Sequence, residues 1–484
     1  MEHITPLKEI LSKMQSKSEK DVALVTKAYA FAEKAHAEQK RYSGDPYFIH
    51  VAAVGLSLAE LGMDAHTVAA GLLHDTMEDA HVPGEVFEKE FDKDTRFLVE
   101  GVTKLGKLKY RGAERHVESL RKLFIATSKD VRCIIIKLAD RLHNVSTLKF
   151  VPKEKQRRIA LETLEIYAPI ANRLSMGRFK GALEDYSFPF AYPEEYEKVQ
   201  QLLKERNKEN EKRLEKVYRE IQTDLGNAGM KGVRGEFRIK RTYSLYKKLL
   251  RKEMDISKIH DISAIRVIVP TMEDCYRALG LIHAKFRPLP GRIKDYIAFP
   301  KPNGYQSLHT TIFTGDGGIV EIQLRTPDMD SDAKFGIASH LRYKEGIGGK
   351  KGEQISKKLE WVNQIGELNQ HLSEGDEYLD HLRMDFFEDR VFVFTPLGDV
   401  IDLPQDSSPI DFAYAIHSDI GDHVSGATVN GKFVSLDTEL KNGDIVEIET
   451  KKNAKPSERW LEYAKTTLAR RHIRSYLAES RKTK

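Results

Sequence analysis

Through roughly the first 190 residues, apolar positions recur every three or four residues, in stretches such as LAELGMDAHTVAAGLLHD and RRIALETLEIYAPIANRL, with breaks at Gly and Pro. That period predicts amphipathic helices on a shared core. From Tyr192 to about Met230 the chain is crowded with Glu, Lys and Arg, yet Leu214, Val217, Tyr218, Ile221 and Leu225 keep one apolar stripe. A solvated helix face is the plainest account of that charge run. Between Glu236 and about Thr326 the period shortens to two: AIRVIVP is β-branched and bounded by Pro270, and in GIVEIQLRT Val320, Ile322 and Leu324 alternate with Glu321, Gln323 and Arg325. Strands follow from this. GIGGKKGEQ reads as an exposed linker, followed by a helical segment ending near Arg383. RVFVFTPLGDVIDLP through GDIVEIET predicts a small β-rich unit with turns at Pro396-Leu397-Gly398, Asn430-Gly431 and Asn442-Gly443-Asp444. The expected organisation is multidomain α+β, with segments 1–190, 191–345, 346–385, 386–451 and 452–484.

A length of 484 residues suits about three domains. Hydrophobic content of 40% and charged content of 31% are globular values and argue against wholesale disorder. The formal net charge of +5 excludes little, because 78 Lys and Arg can still cluster around phosphates. Two cysteines, Cys133 and Cys275, rule out a disulfide framework and a Cys-rich zinc site. No apolar run approaches the ~18 residues of a membrane span, and MEHITPLKEILSK spreads its charges unlike a secretory signal. A soluble, cytoplasmic protein without membrane or DNA partners is expected.

His74 and Asp75 fall in AAGLLHDTMEDA, read as one apolar helix. On a helix His74 would sit beside Glu78 and Asp75 beside Asp79, four residues on. Four polar groups among Ala and Leu are costly to bury without a partner. His50 closes RYSGDPYFIH upstream; Asp140 and Asn144, again four apart, lie in the buried-looking IIIKLADRLHN. A lone His-Asp dipeptide is usually a surface pair. With His50 and Asp140 added, two imidazoles and two carboxylates make an N/O donor set for Mn²⁺, Fe²⁺ or Zn²⁺. Such an ion can lower the pKa of a bound water and leave positions open for a phosphate oxygen. His143 reads as a satisfied histidine rather than a fifth ligand.

FRIKRTYSLYKKL gathers Arg238, Lys240, Arg241, Lys247 and Lys248 around Ser244. Alone, this is any solvated basic segment. Asp261 just ahead of one strand and Glu321 on a later one could share Mg²⁺ and thereby polyphosphate oxygens. Between them, PGRIKDYIAFPKPNGYQSLHT supplies a Pro- and Gly-shaped loop, Lys294 and Lys301 as charge, and the Tyr305 ring as either core or a base-stacking surface. No Gly-x-x-x-x-Gly-Lys-Ser/Thr phosphate loop occurs, which disfavours a P-loop ATPase.

RYSGDPYFIH, LLHDTMEDA, GVTKLGKLKY and IKLADRLHNVSTL resemble the HD-type phosphohydrolases, and more narrowly the hydrolase domain of RelA/SpoT homologues. The resemblance implies an all-α domain in which His50, His74, Asp75 and Asp140 bind Mn²⁺ and Glu78 and Asp79 activate water. It further implies that Arg41, Ser43, Asn144 and Thr147 hold the guanosine and phosphates of ppGpp or pppGpp, whose 3′-pyrophosphate is removed. One departure is Tyr42, where many relatives carry a basic residue.

FRIKRTYSLYKKL, DISAIRVIV, GRIKDYIAFPKPNGYQSLHT and VEIQLRT resemble the synthetase domain of the same family, a mixed α/β nucleotidyltransferase-like fold that moves pyrophosphate from ATP to the 3′-hydroxyl of GDP or GTP. By that resemblance Arg238, Lys240, Ser244 and Lys248 hold ATP, and Asp261 and Glu321 bind Mg²⁺, with Glu321 able to take the 3′-hydroxyl proton. Asn303 and Tyr305 receive the guanine nucleotide. Lys294 and His309 lie near the phosphates, and Arg266, Lys301 and Gln323 complete the set. RIKD at Arg292–Asp295 has the form of bifunctional members. Phe237 stands where Gly is usual, Asp330 and Lys334 where His and Glu are common, and Leu341 where Trp is. These departures raise an alternative, a hydrolase-dominant enzyme whose synthetase domain is weak or a nucleotide sensor. The β-rich unit resembles the TGS module, a small β-grasp sheet that contacts tRNA on the ribosome in long relatives; Asp422, in place of His, would repel an RNA phosphate. A ribosome-associated factor with vestigial sites is the third reading.

Overall fold

A computed structural model of the chain describes residues 5–103, 127, 129–256, 259, 262–301, 303–341, 390–441 and 443–482. The linker GIGGKKGEQ, the helical segment towards Arg383 and most of GVTKLGKLKY lie outside these residues, as does Asp261. The described residues form two compact units, one up to residue 341 and one from residue 390. Among them no helix is long and apolar enough to cross a membrane.

The first unit opens with helices α1 (Leu7–Lys13), α2 (Glu19–Ala35), α3 (Phe48–Glu60), α4 (Ala65–Leu73), α5 (Gly84–Glu90), α6 (Lys93–Thr103) and α7 (Arg132–Ser146). Asp64 caps α4 by accepting from the Thr67 backbone N–H at 2.9 Å. Helices α3 and α4 approach closely because Gly71 faces Leu58: a Cβ there would lie 2.2 Å from Leu58 Cδ1. This contact brings His50 of α3 towards the C-terminal end of α4. The sequence predicts that α4 continues through LLHDTMEDA; instead it ends at Leu73, and residues 74–79 are turns. Thr76 takes the Leu73 carbonyl with both its N–H (3.0 Å) and its hydroxyl (2.6 Å), so that carbonyl is lost to the regular helical ladder. His74 therefore caps the helix, and the expected stacking of His74 on Glu78 along a helix face is not the arrangement found.

Next come α8 (Lys153–Glu162), a π-helical turn (Thr163–Tyr167), α9 (Ala168–Arg173), α10 (Gly177–Ala191) and α11 (Pro193–Asn227). The stripe on α11 buries Leu214, Val217, Ile221 and Leu225 against Ile265, Val267, Val320 and Ile322 of a five-stranded sheet. Its strands are β1 (Arg234–Ile239), β2 (Ser263–Ile268), β3 (Lys294–Asp295), β4 (Leu308–Phe313) and β5 (Ile319–Arg325), in the order β1-β2-β5-β4-β3. Only β2 and β5 pair in parallel, with Ala264 opposite Glu321. Helices α12 (Thr242–Leu250), α13 (Met272–Lys285), α14 (Pro327–Phe335) and α15 (Ile337–Leu341) complete the unit. Because side chains alternate along β5, Val320, Ile322 and Leu324 enter the core while Glu321 faces the opposite side.

In the second unit the hairpin of β6 (Arg390–Phe394) and β7 (Val400–Pro404) precedes α16 (Pro409–Ile416) and α17 (Ser418–Asp422). Strands β8 (Val424–Val429), β9 (Lys432–Val434) and β10 (Val446–Thr450) form an antiparallel sheet, and Phe394 bridges Ile445 in parallel, a β-grasp arrangement. Asn430 and Gly431, at φ 52° and 76°, make the tight β8–β9 turn. The C-terminal α19 (Thr467–Lys482), after a short α18 (Trp460–Tyr463), packs on α16. Its start is tied to α16 by the buried Asp411, which accepts from the Thr466 N–H (2.7 Å) and hydroxyl (2.9 Å).

Candidate functional site

His50, near the start of α3, His74 at the end of α4 and Asp140 within α7 bring one ligand-type atom each within 4.8 Å of one another. Asp75 joins them: its Oδ2 lies 3.0 Å from His74 Nε2 and 3.5 Å from His50 Nε2. Asp140 Oδ1 lies 3.3 Å from His50 Nε2 and 3.9 Å from His74 Nε2. Both Nε2 atoms are buried and make no aligned hydrogen bond. His74 donates its Nδ1–H to the Gly71 carbonyl at 2.8 Å, which leaves Nε2 for the carboxylates. Burial disfavours a charged His74, but Asp75 outweighs it and draws the imidazole pKa up to about 9. Burial likewise opposes ionisation of Asp75 and Asp140. His74 and His50 nonetheless hold Asp75 well below the usual carboxylate range, as Lys137, 2.7 Å away, does for Asp140. The cluster demands positive charge between the rings, from a proton on His74 or from a divalent ion that displaces it. Two nitrogens and two oxygens, converging and buried except for the half-buried Asp75, fit such an ion.

Around this centre, the Tyr47 hydroxyl lies 2.8 Å from Asp75 and 2.9 Å from the exposed Asp79. Glu78 is half-buried in the same run of turns. Arg41 donates to Asn144 Oδ1 at 2.9 Å and to His143 Nδ1 at 2.7 Å. Asn144 in turn donates to Asp140 at 2.5 Å, and His50 Nδ1 lies 2.9 Å from His143 Nδ1. Burial, with His50 and Arg41 beside it, drives the His143 pKa down to about 3. Thr147 closes α7, its hydroxyl 3.2 Å from the carbonyls of His143 and Asn144. Ser43 accepts only a long contact, from the Asp45 N–H at 3.4 Å. Sequence reasoning missed Tyr47 and Lys137, although each stands three residues before an expected ligand.

The sheet carries a second site. One cleft of about 440 Å³ is lined by Lys240, Lys248, Lys294, Glu321 and Gln323, and an adjoining one of about 620 Å³ by Ser244, Arg266, Asn303 and Tyr305. Arg238, Lys301 and His309 line both. Every described residue expected at the synthetase site thus lies on one of two neighbouring clefts; Asp261 is outside the described residues. Burial, and then Arg266, lowers the pKa of Arg238. Arg325, which the sequence reading passed over, donates to the Tyr305 hydroxyl at 2.6 Å, and that hydroxyl lies 2.8 Å from His309 Nε2. His309 Nδ1 is 2.8 Å from Glu321. Glu321 only accepts, so His309 donates from Nδ1 and takes the Tyr305 hydroxyl proton at Nε2, while the Tyr305 oxygen accepts from Arg325. Helix α10 forms part of the wall: Glu184 accepts from Ser244 and Asp185 pairs with Arg241. Asn303 donates to the Asn172 carbonyl at 3.1 Å.

Residues 28–177 match the HD domain, 237–348 the region found in RelA / SpoT proteins, and 391–450 the TGS domain. The chain is 45% identical over 472 residues to a guanosine-3′,5′-bis(diphosphate) 3′-pyrophosphohydrolase of Aquifex aeolicus, covering 97% of this chain and 67% of that one. It is 44% identical over 462 residues to a probable enzyme of the same name from Synechocystis, covering 95% and 61%. Identity to the bifunctional (p)ppGpp synthase/hydrolase RelA of Mycobacterium tuberculosis is 41% over 469 residues, covering 96% and 63%. The chain therefore spans about 61–67% of the length of these relatives.

Proposed function

The chain belongs to the RelA/SpoT homologues, and we propose that it is a bifunctional alarmone enzyme. Its helical segment hydrolyses (p)ppGpp to GDP or GTP and pyrophosphate; its sheet segment makes (p)ppGpp from ATP and GDP or GTP. The observation that carries the reading is the convergence of His50, His74, Asp75 and Asp140, with both imidazole Nε2 atoms buried and turned to the two carboxylates. A divalent ion held by these four, Mn²⁺ by the family resemblance, would acidify a bound water. Glu78 or Asp79 takes the proton of the attacking water as its oxygen meets the phosphorus bearing O3′, and Tyr47 keeps Asp79 beside Asp75. The P–O3′ bond breaks, O3′ gains a proton and pyrophosphate leaves. Arg41, Asn144, Ser43 and Thr147 orient the nucleotide.

In synthesis the 3′-hydroxyl attacks the β-phosphorus of ATP, Glu321 takes its proton and AMP departs. Arg238, Lys240, Ser244 and Lys248 hold ATP, and Asn303 and Tyr305 the acceptor. Asp261 and Glu321 would hold Mg²⁺, whose charge offsets that of the polyphosphate. We place the segment boundaries at 190, 345, 385 and 451, and the protein in the cytoplasm. A tRNA or ribosome contact through the TGS unit finds no support at Asp422, whose carboxylate accepts from the Tyr414 hydroxyl at 2.8 Å.

The test assays both reactions on wild type, Asp75→Ala and Asp261→Ala. Each substitution should silence only its own reaction; loss of both from either one overturns the two-site assignment. A hydrolase with a nucleotide-sensing second domain is favoured by the engagement of Ser244 and Arg241 by Glu184 and Asp185. Absence of alarmone from Asp75→Ala protein supplied with ATP, GDP and Mg²⁺ would select it.

A further inference from the structure

The chemistry of donors and acceptors around His143 has a consequence for the metal cluster. Arg41 reaches His143 Nδ1 at 2.7 Å, and a guanidinium offers only N–H groups. His143 Nδ1 must therefore present its lone pair. The His50 Nδ1 atom, 2.9 Å from the same nitrogen, is then the donor of that contact. With a proton held on Nδ1, Nε2 is the nitrogen that His50 turns towards Asp75 and Asp140 and the one left to take an ion, which is the orientation a metal ligand requires. At His74 the Gly71 carbonyl takes the Nδ1–H, so Nε2 is the nitrogen left for an ion that displaces its proton.

We propose that His143 is a positioning residue for metal binding: it fixes the tautomer and orientation of His50 while bracing Arg41, and so joins the nucleotide-gripping arm to the metal cluster. The arm has two such braces. The Arg41 fork addresses consecutive residues of α7, His143 and Asn144, and each of them touches one expected ligand, His50 and Asp140. Movement of Arg41 onto a phosphate is thereby felt at the ligands, because His143 has one lone pair for two donors. This inference rests on the proposed metal-dependent hydrolase site but concerns metal binding, which is measurable without substrate.

The experiment uses the full chain and Mn²⁺ alone, with bound and free ion separated by the EPR signal of free Mn²⁺. His143→Ala should weaken Mn²⁺ binding about tenfold, the usual effect of removing a ligand's hydrogen-bond partner. His143→Asn, whose Oδ1 stands where Nδ1 was and offers His50 Nδ1 an acceptor, should restore affinity to within about threefold, a rescue that a purely space-filling role would not give. Wild-type affinity in His143→Ala overturns the inference and leaves the metal site standing. If the alanine protein does not fold, a folded His143→Asn protein with tenfold weaker binding also overturns it. A wild type that binds no Mn²⁺ removes the inference together with the hydrolase reading. One that binds the ion yet turns over no (p)ppGpp removes only that reading.

Discussion

The Ser244 hydroxyl, on the first turn of α12, donates to the Glu184 carboxylate of α10 at 3.2 Å. Beside it Asp185 pairs with Arg241. A serine expected to meet ATP phosphate is thus engaged by a helix of the segment that carries the metal cluster. The acceptor loop is held from the same side, where Asn303 meets Asn172. Two opposed reactions on one chain would consume ATP to no end if both ran together, and this contact is where one could restrain the other.

Removing the restraint should favour synthesis. Glu184→Gln with Asp185→Asn weakens the contact that an ATP phosphate must displace at Ser244 and the ion pair beside it, worth about 1 kcal/mol together once partial exposure of the Asp185–Arg241 pair is discounted. The expected result is roughly a fivefold higher kcat/KM for ATP, with the hydrolytic kcat unchanged. Synthesis is measured by steady-state kinetics in an Asp75→Ala background and hydrolysis with Asp75 in place; an unchanged KM for ATP would show that the contact does not compete.

His74 makes the two states of the metal cluster respond oppositely to pH. In the metal-free protein it titrates at about 9 against 6.5 for an unperturbed imidazole. Its charge therefore stabilises the metal-free fold in full below about pH 6.5, and that contribution is lost as pH rises through about 9. Ion binding needs the bare Nε2 and displaces the proton. Mn²⁺ affinity should climb about tenfold per pH unit between 6.5 and 8.5 and level off above 9. Calorimetry at pH 7.5 in two buffers of different ionisation enthalpy should register about one proton released per ion. Affinity flat across that range would show that His74 is not protonated in the free protein.

Tyr47 offers one hydroxyl proton to two carboxylates, at 2.8 Å from Asp75 and 2.9 Å from Asp79. Tyr47→Phe keeps the ring stacked against His36 and removes only that proton. Hydrolytic kcat should fall about tenfold, with less change in KM, because the lost contact orients ligand and base rather than nucleotide. Equal kcat in the two proteins would remove Tyr47 from the proton-handling geometry.

What could be read from the sequence divides along a physical line. The stripe on α11 and the alternation on β5 were legible because each is a local period that packing preserves: Val320, Ile322 and Leu324 are buried while Glu321 faces the clefts. The convergence of His50, His74, Asp75 and Asp140 was legible because polar groups set among Ala, Leu and Ile are conspicuous. Illegible were the residues whose meaning comes from partners far along the chain, such as His143, which meets Arg41 102 positions away. The end of α4 at Leu73 was also missed, because it depends on one hydroxyl, that of Thr76, competing for a backbone carbonyl.

Asp330 shows the same limit from the opposite side, since its unusual identity is visible in the sequence but its task is not. Its carboxylate, 9% exposed, lies 2.8 Å from Lys334, 3.3 Å from Arg266 and 3.4 Å from Arg325, which is itself 1% exposed. Arg325 is also the start of the hydrogen-bond chain through Tyr305 and His309 to Glu321. Asp330→Ala strands buried positive charge. Breaking such a pair costs about 3 kcal/mol where the contacts are near 3.4 Å, enough to lower the Tm of the first unit by several degrees. The released Arg325 no longer holds Tyr305 in register, so the KM for the guanine nucleotide should rise at least as steeply as kcat falls. Hydrolysis, whose expected ligands sit on α3, on α7 and in the turn that ends α4, should keep its kcat at temperatures below the shifted Tm. Asp330→Asn, which retains an acceptor without the charge, should fall between. A Tm unchanged in Asp330→Ala would mean that Arg325 is neutralised by another group, and the relay would then have to be anchored elsewhere.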